Sequence, residues 1–219
     1  MESLSSFKNT DQPYKSNSTN MMYNFLFCDN IELFKKYNEQ PGTYPWNILF
    51  SGKADVQELN KIINDPELET RHKILAYNKL IAAGQKTETK ELLAVIVEVG
   101  LDKGLDVLAS FNDGTARYIN QTEKIIIWET TDETSNSITD ELFANSLEIV
   151  KQIGPWNKVR RPFPAKGMAR ISFLVSGELY FGEAPMNDLF NSPLAKPALL
   201  SATGLMQYLT DKVLTASDN

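Results

Sequence analysis

Between residues 92 and 129 large apolar side chains recur at a period of two, and that period commits the middle of the chain to β-strands. Residues 92–99 are an almost unbroken apolar run rich in β-branched side chains, which suits a strand covered on both faces. Residues 105–111 alternate, with Leu105, Val107, Ala109 and Phe111 on one side. Asn112-Asp113-Gly114 then predicts a tight hairpin turn, because Asp-Gly supplies the positive φ angles such a turn needs. Residues 115–120 and 125–129 continue the meander through a short turn at 121–124. Residues 170–175 and 179–183 form a second hairpin about Ser176-Gly177.

The flanking segments carry the helical period. Residues 30–84 read as helices: Asn30 caps a short one with Ile31, Phe34 and Tyr37 inward, and Asp55 with Glu58 has the spacing of a capping box. Asp65-Pro66 is expected to start the next helix, which Gly84 stops. Ser137 is expected to cap a helix that ends at Gly154-Pro155, and Ser192-Pro193 to open the last one. Residues 1–20, rich in Ser, Asn and Thr, read as a disordered tail. The expectation is therefore an α+β fold, with 21–219 one domain: a helical part over 30–84 and a sheet-forming part over 91–219. Its antiparallel sheet has five or six strands, a four-strand meander plus a hairpin, with helices packed mainly on one face.

Several chemistries are excluded by residue supply. The only cysteine of the 219 residues, Cys28, follows an apolar run and reads as an inert buried thiol, so disulfides and thiolate metal sites are out. The only histidine, His72, sits on a helix's apolar stripe and reads as a packing residue. There is no nucleophile elbow, phosphate loop or dinucleotide fingerprint. The acidic stretch 129–148 lacks the spacing of a calcium loop and reads as a solvated face, so no metal and no cofactor are expected. A net charge of −6 argues against nucleic acid and anionic membrane as partners. No apolar run is long enough to span a bilayer, and the amino terminus lacks a secretory pattern, which together predict a soluble, cytoplasmic protein.

Two constellations remain. Arg117, Trp128 and Glu129 lie on adjacent strands, either as a recognition surface with a guanidinium fork or as a cross-strand ion pair beside core aromatics. The second is the proline-rich stretch 155–167. Between residues 149 and 177 there are six basic residues (Lys151, Lys158, Arg160, Arg161, Lys166 and Arg170) and no acid, with Trp156 and Phe163 interleaved. Proline holds such a loop extended, which suits a surface that captures an acidic protein partner or a small anionic ligand. The alternative is that these bases neutralise residues 129–148 within the same molecule; the direction of Arg160 and Arg161 separates the two.

Gly104-Leu105-Asp106, Asp113-Gly114 with Ala116-Arg117-Tyr118-Ile119-Asn120, and Trp128-Glu129 form one recognisable set. Gly154-Pro155-Trp156, Phe173-Leu174-Val175-Ser176 and Leu179-Tyr180-Phe181-Gly182-Glu183 form another. Together, over residues 92–210, they resemble a group of uncharacterised bacterial proteins. The resemblance implies a bacterial cytoplasmic origin and brings no activity with it.

The first functional expectation is a non-catalytic binding or protein-interaction domain that uses Arg117, Trp128, Glu129, Trp156, Arg160 and Arg161. The second is a small-molecule enzyme working through the carboxylates of Glu98, Glu129 and Glu183. Glu98 interrupts an apolar strand, and its expected place is outward, near the strand's end. An unpaired sheet edge, if there is one, points to a homodimer.

Overall fold

The computed structural model describes residues 12–53, 55–87, 90–130 and 132–217. Five helices come first: α1 (Asn17–Phe25), α2 (Ile31–Tyr37), α3 (Trp46–Leu49), α4 (Val56–Asn64) and α5 (Thr70–Ala82). The meander follows as β1 (Leu92–Gly100), β2 (Leu105–Phe111), β3 (Ala116–Ile119) and β4 (Ile125–Trp128). Helix α6 (Glu133–Val150) leads to the hairpin β5 (Met168–Val175) and β6 (Glu178–Pro185), then to α7 (Met186–Asn191) and α8 (Lys196–Ser217). All neighbouring strands are antiparallel, in the order β4-β3-β2-β1-β5-β6. The α+β class, the meander and the added hairpin are those the period of two predicts.

The helical cover differs from the expectation: it lies on both faces of the sheet, not mainly on one. Helices α1 to α5 pack through Tyr23, Phe34, Leu49, Leu59, Ile62 and Ile74 on the face carrying Ala94, Ile96, Val107 and Phe111. Helices α6 and α8 pack through Leu142, Ile149, Leu199, Leu205 and Leu209 on the face carrying Val95, Val97, Leu108 and Phe173. The cause is legible in β1, which is apolar at both parities, so each of its faces needs a partner. Burying one such side chain contributes about 1.5–3 kcal/mol, and both faces of β1 do so.

Several local boundaries differ from the expectation, because other residues do the capping. Residues 12–20 are folded, against the expectation of a tail; residues 1–11 lie outside the described residues. Tyr14 is buried and donates its hydroxyl to Leu105 O at 2.9 Å. The Asn20 amide holds the Tyr14 backbone at 3.0 and 2.7 Å, and Ser16 caps α1. The polar side chains that suggested disorder are here bonded to backbone. Asp132, with Ser135, caps α6 one turn before Ser137. Helix α5 starts at Thr70, after a turn at Asp65-Pro66, and α8 starts at Lys196, after an unexpected α7.

Candidate functional site

Two of the most apolar strands each carry one inward charge, and the register brings these charges side by side. Glu98 on β1 pairs with Arg170 on β5, which pairs with Glu183 on β6. Glu98 is fully buried, not outward-facing as expected, because it shares the parity of Ala94 and Ile96 and lies under α1. Tyr23 of α1 donates its hydroxyl to Glu98 Oε1 at 2.7 Å. Glu98 Oε2 lies 3.5 Å from Arg170 Nη1 but has no hydrogen-bond donor among the described residues. Burial pushes the Glu98 carboxyl above the usual carboxylate range, against the pull of Arg170 and of the Tyr23 hydrogen bond. The Tyr23 hydroxyl is raised in turn, by burial first and then by Glu98.

Arg170 joins this row of strands to the proline loop. Its Nε donates to Glu183 Oε2 at 2.7 Å, its Nη2 to Pro162 O at 2.6 Å and its Nη1 to Arg161 O at 3.3 Å. The loop is fixed at three more points. Trp156 N donates to Leu179 O on the outer side of β6 at 2.7 Å, and Gly167 N donates to Gly100 O at 2.8 Å. Gly100 has no side chain because a Cβ there would overlap the backbone of Ala165. Arg160 makes the third anchor: Nε to Asp29 Oδ2 at 2.7 Å, Nη2 to Asn24 Oδ1 at 2.9 Å, and the guanidinium 3.8 Å over the Phe27 ring.

Successive residues of an extended chain point to opposite sides, and Arg160 and Arg161 do so. Arg160 faces α1, whereas Arg161 lies 4.9 Å from the Trp156 ring and 5.4 Å from the Phe181 ring, out at the surface. Trp156 meets Phe181 edge-on at 5.2 Å, and Lys158 lies 5.4 Å over the same indole. The Trp156 Nε1 donates to Val159 O at 3.0 Å, and Val159 is 91% exposed at the tip.

Four of the six bases of this region have carboxylate partners. Lys151 pairs with Glu148, Arg160 with Asp29, Lys166 with Asp102, and Arg170 with Glu98 and Glu183. Only Lys151 meets the acidic stretch 129–148, so wholesale neutralisation of that stretch is not what the loop does. Lys158 and Arg161 have no carboxylate within ion-pair distance among the described residues. Between α1 and the loop lies a cleft of about 440 Å³ bordered by Tyr23, Asn24, Leu33, Arg160 and Phe163. A second, of about 310 Å³, lies beyond the Arg160–Asp29 pair against Phe27 and Leu174.

The other predicted constellation is divided by the sheet. Arg117 is buried and donates to Ala116 O at 2.9 Å, Trp128 O at 3.0 Å and Glu129 Oε1 at 2.8 Å. The Trp128 ring is on the opposite face, edge-on to Tyr208 at 6.1 Å. Both sit on or beside β4, at the far edge of the sheet from Trp156, Arg160 and Arg161. The six candidate residues therefore form two groups, and the β4 group is the ion-pair arrangement. Among the three carboxylates, Glu98 and Glu183 converge on Arg170 while Glu129 is remote; Glu98 is sealed beneath Tyr23 instead of opening into a cleft.

His72 is half-buried, edge-on to Trp46 at 4.7 Å, and burial lowers its pKa. Burial pushes the Cys28 thiol up to about 12, as an inert thiol requires. Among the described residues no group of three His, Cys, Asp or Glu is placed to hold a metal ion, and no helix is long and apolar enough to cross a membrane. Sequence reading missed Tyr23, Asn24 and Asp29. The available signal was parity: Glu98 and Arg170 are lone inward charges of opposite sign on apolar strands, and such charges require partners from whatever packs above them. No protein-family model matches this chain, and no curated protein matches it.

Proposed function

We propose that this protein is a binding module that takes an acidic segment of another protein on the loop beside β6. One observation carries the reading. Lys158 and Arg161 are held over a single indole, beside the exposed Val159, on a loop anchored by a buried network. A buried ion pair adds little net stability, but this one fixes the loop's carbonyls through Arg170. A surface fixed in advance loses less entropy on binding, and Trp with Arg is the composition of interface hot spots. Because Arg160 and Arg161 diverge, a two-arginine clamp on a small anion has no geometric support, which favours an extended acidic segment along the rim. The bacterial cytoplasmic setting implied by the resemblance over residues 92–210 belongs to the same proposal.

Reversing Arg160 would break its bonds to Asp29 and Asn24, so the informative variant leaves Arg160 alone. The Lys158→Glu/Arg161→Glu double variant and the wild type are compared as immobilised baits in native lysate, with retained proteins identified by mass spectrometry. The wild type is expected to retain a partner through an acidic segment, weakening with added salt, and the variant to lose it by about tenfold or more, ~1.4 kcal/mol. The melting temperature should stay unchanged. Equal retention by both baits refutes the assignment.

A further inference from the structure

We propose that a second copy of this chain pairs with β4, so that two sheets join into one across a two-fold axis at Ile126. Strand β4 borders the sheet, and among the described residues its only strand partner is β3. Its sequence is Ile125-Ile126-Ile127-Trp128, with no charge, proline or glycine, and Ile125 and Ile127 are 37% and 53% exposed. An edge of that kind normally carries a lysine, a proline or a bulge that discourages pairing.

The hydrogen-bond pattern fixes which residues a new strand would meet. Asn120 N donates to Lys124 O at 3.0 Å, and the register pairs Tyr118 with Ile126 and Ala116 with Trp128. Antiparallel bonding alternates, so Ile126 and Trp128 bond inward to β3, and the N–H and C=O of Ile125 and Ile127 point outward. A two-fold axis normal to the sheet and centred on Ile126 sets Ile125 against Ile127 of the second copy, twice, each pair exchanging two hydrogen bonds. Ile126 then faces its own counterpart, and Lys124 lies opposite Trp128 of the second copy. The strip is therefore its own complement: apolar meets apolar at every central position, without a like-charge clash there.

The other edge is less available to a further copy. On β6, Leu179 O already accepts from Trp156 N, and the strand ends at Pro185, which has no N–H. A two-fold axis at β4 uses the same edge of both copies, so pairing there is isologous and closed. The strip alone is short beside the roughly 1,000 Å² of a stable interface, so association should depend on concentration.

The full-length wild type, Ile127→Lys and Ile126→Cys are compared by sedimentation equilibrium and by mild oxidation. The wild type is expected to approach twice the monomer mass as concentration rises. Ile127→Lys should remain monomeric, with the wild type's melting temperature at concentrations where both are monomers. Ile126→Cys should form an interchain disulfide, because cross-strand neighbours in a non-hydrogen-bonded pair stand about 4.5 Å apart at Cα. A wild type that stays monomeric at every concentration overturns the proposal and leaves the edge to a strand of another protein. A dimer that survives Ile127→Lys and yields no crosslink through position 126 overturns it equally, by placing the interface elsewhere.

Discussion

Strands β6 and β4 border the same sheet and are finished in opposite ways. At β6, a proline loop runs alongside and is held by Arg170, Arg160 and Gly100, with a buried carboxylate beneath it. At β4, an apolar four-residue strand is left open, and the nearest guanidinium, Arg117, is turned back onto the carbonyls of Ala116 and Trp128. Both edges contain an arginine–glutamate pair. In one it is sealed and orders a surface; in the other Glu129 is exposed and the pair ties down backbone. An ion pair's role here follows from what else its donors reach, not from its presence.

The largest effect should come from Arg170→Ala. It strands Glu98 without a cation and removes the donors to Arg161 O and Pro162 O, so chemical denaturation should show a loss of about 3–5 kcal/mol. Limited proteolysis should then cut within residues 155–167. A loss below ~1 kcal/mol would show that the sealed pair behaves like a surface pair and would break the contrast with Arg117–Glu129. Gly100→Ala should come next, at about 1–3 kcal/mol for overpacking against Ala165, with the same loop opened to protease.

The third test is pH. The Glu98 carboxyl is raised in the folded chain, mainly by burial. A carboxyl raised on folding stabilises the fold while protonated. That contribution is complete below the unfolded value, about 4.3, and is lost as pH rises through the folded value. Glu98→Gln mimics the protonated form, so its stability relative to wild type should improve as pH is raised from about 4 towards 7. A difference that is flat with pH would remove Glu98 as the titrating group. The smallest effect belongs to the open edge: Ile127→Lys should change monomer stability by no more than about 0.5 kcal/mol, while altering the sedimentation behaviour.

Particular residues show how far reading the chain reached. The Asp113-Gly114 and Ser176-Gly177 turns and the Asn30 and Asp55 caps follow from local rules, since glycine supplies positive φ and near neighbours satisfy orphan N–H groups. Tyr14 and Asn20 were illegible for the opposite reason: their partners are non-local or depend on a folded turn. The basic loop was visible as composition, but the division between Arg160, turned to Asp29, and Arg161, turned to Trp156, depends on α1 lying opposite.

By itself, the sequence determined the pleated ribbons, their antiparallel order within each hairpin, and the supply of chemistry, because period, turn residues and residue counts are local properties. The tertiary structure alone decided which helices cover which face, that Glu98, Arg170 and Glu183 stand in one row, and that the two sheet edges are finished differently. Those outcomes rest on contacts between residues far apart in sequence, such as Tyr23 with Glu98 and Trp156 with Leu179. Their geometry exists only once the strands have taken their register.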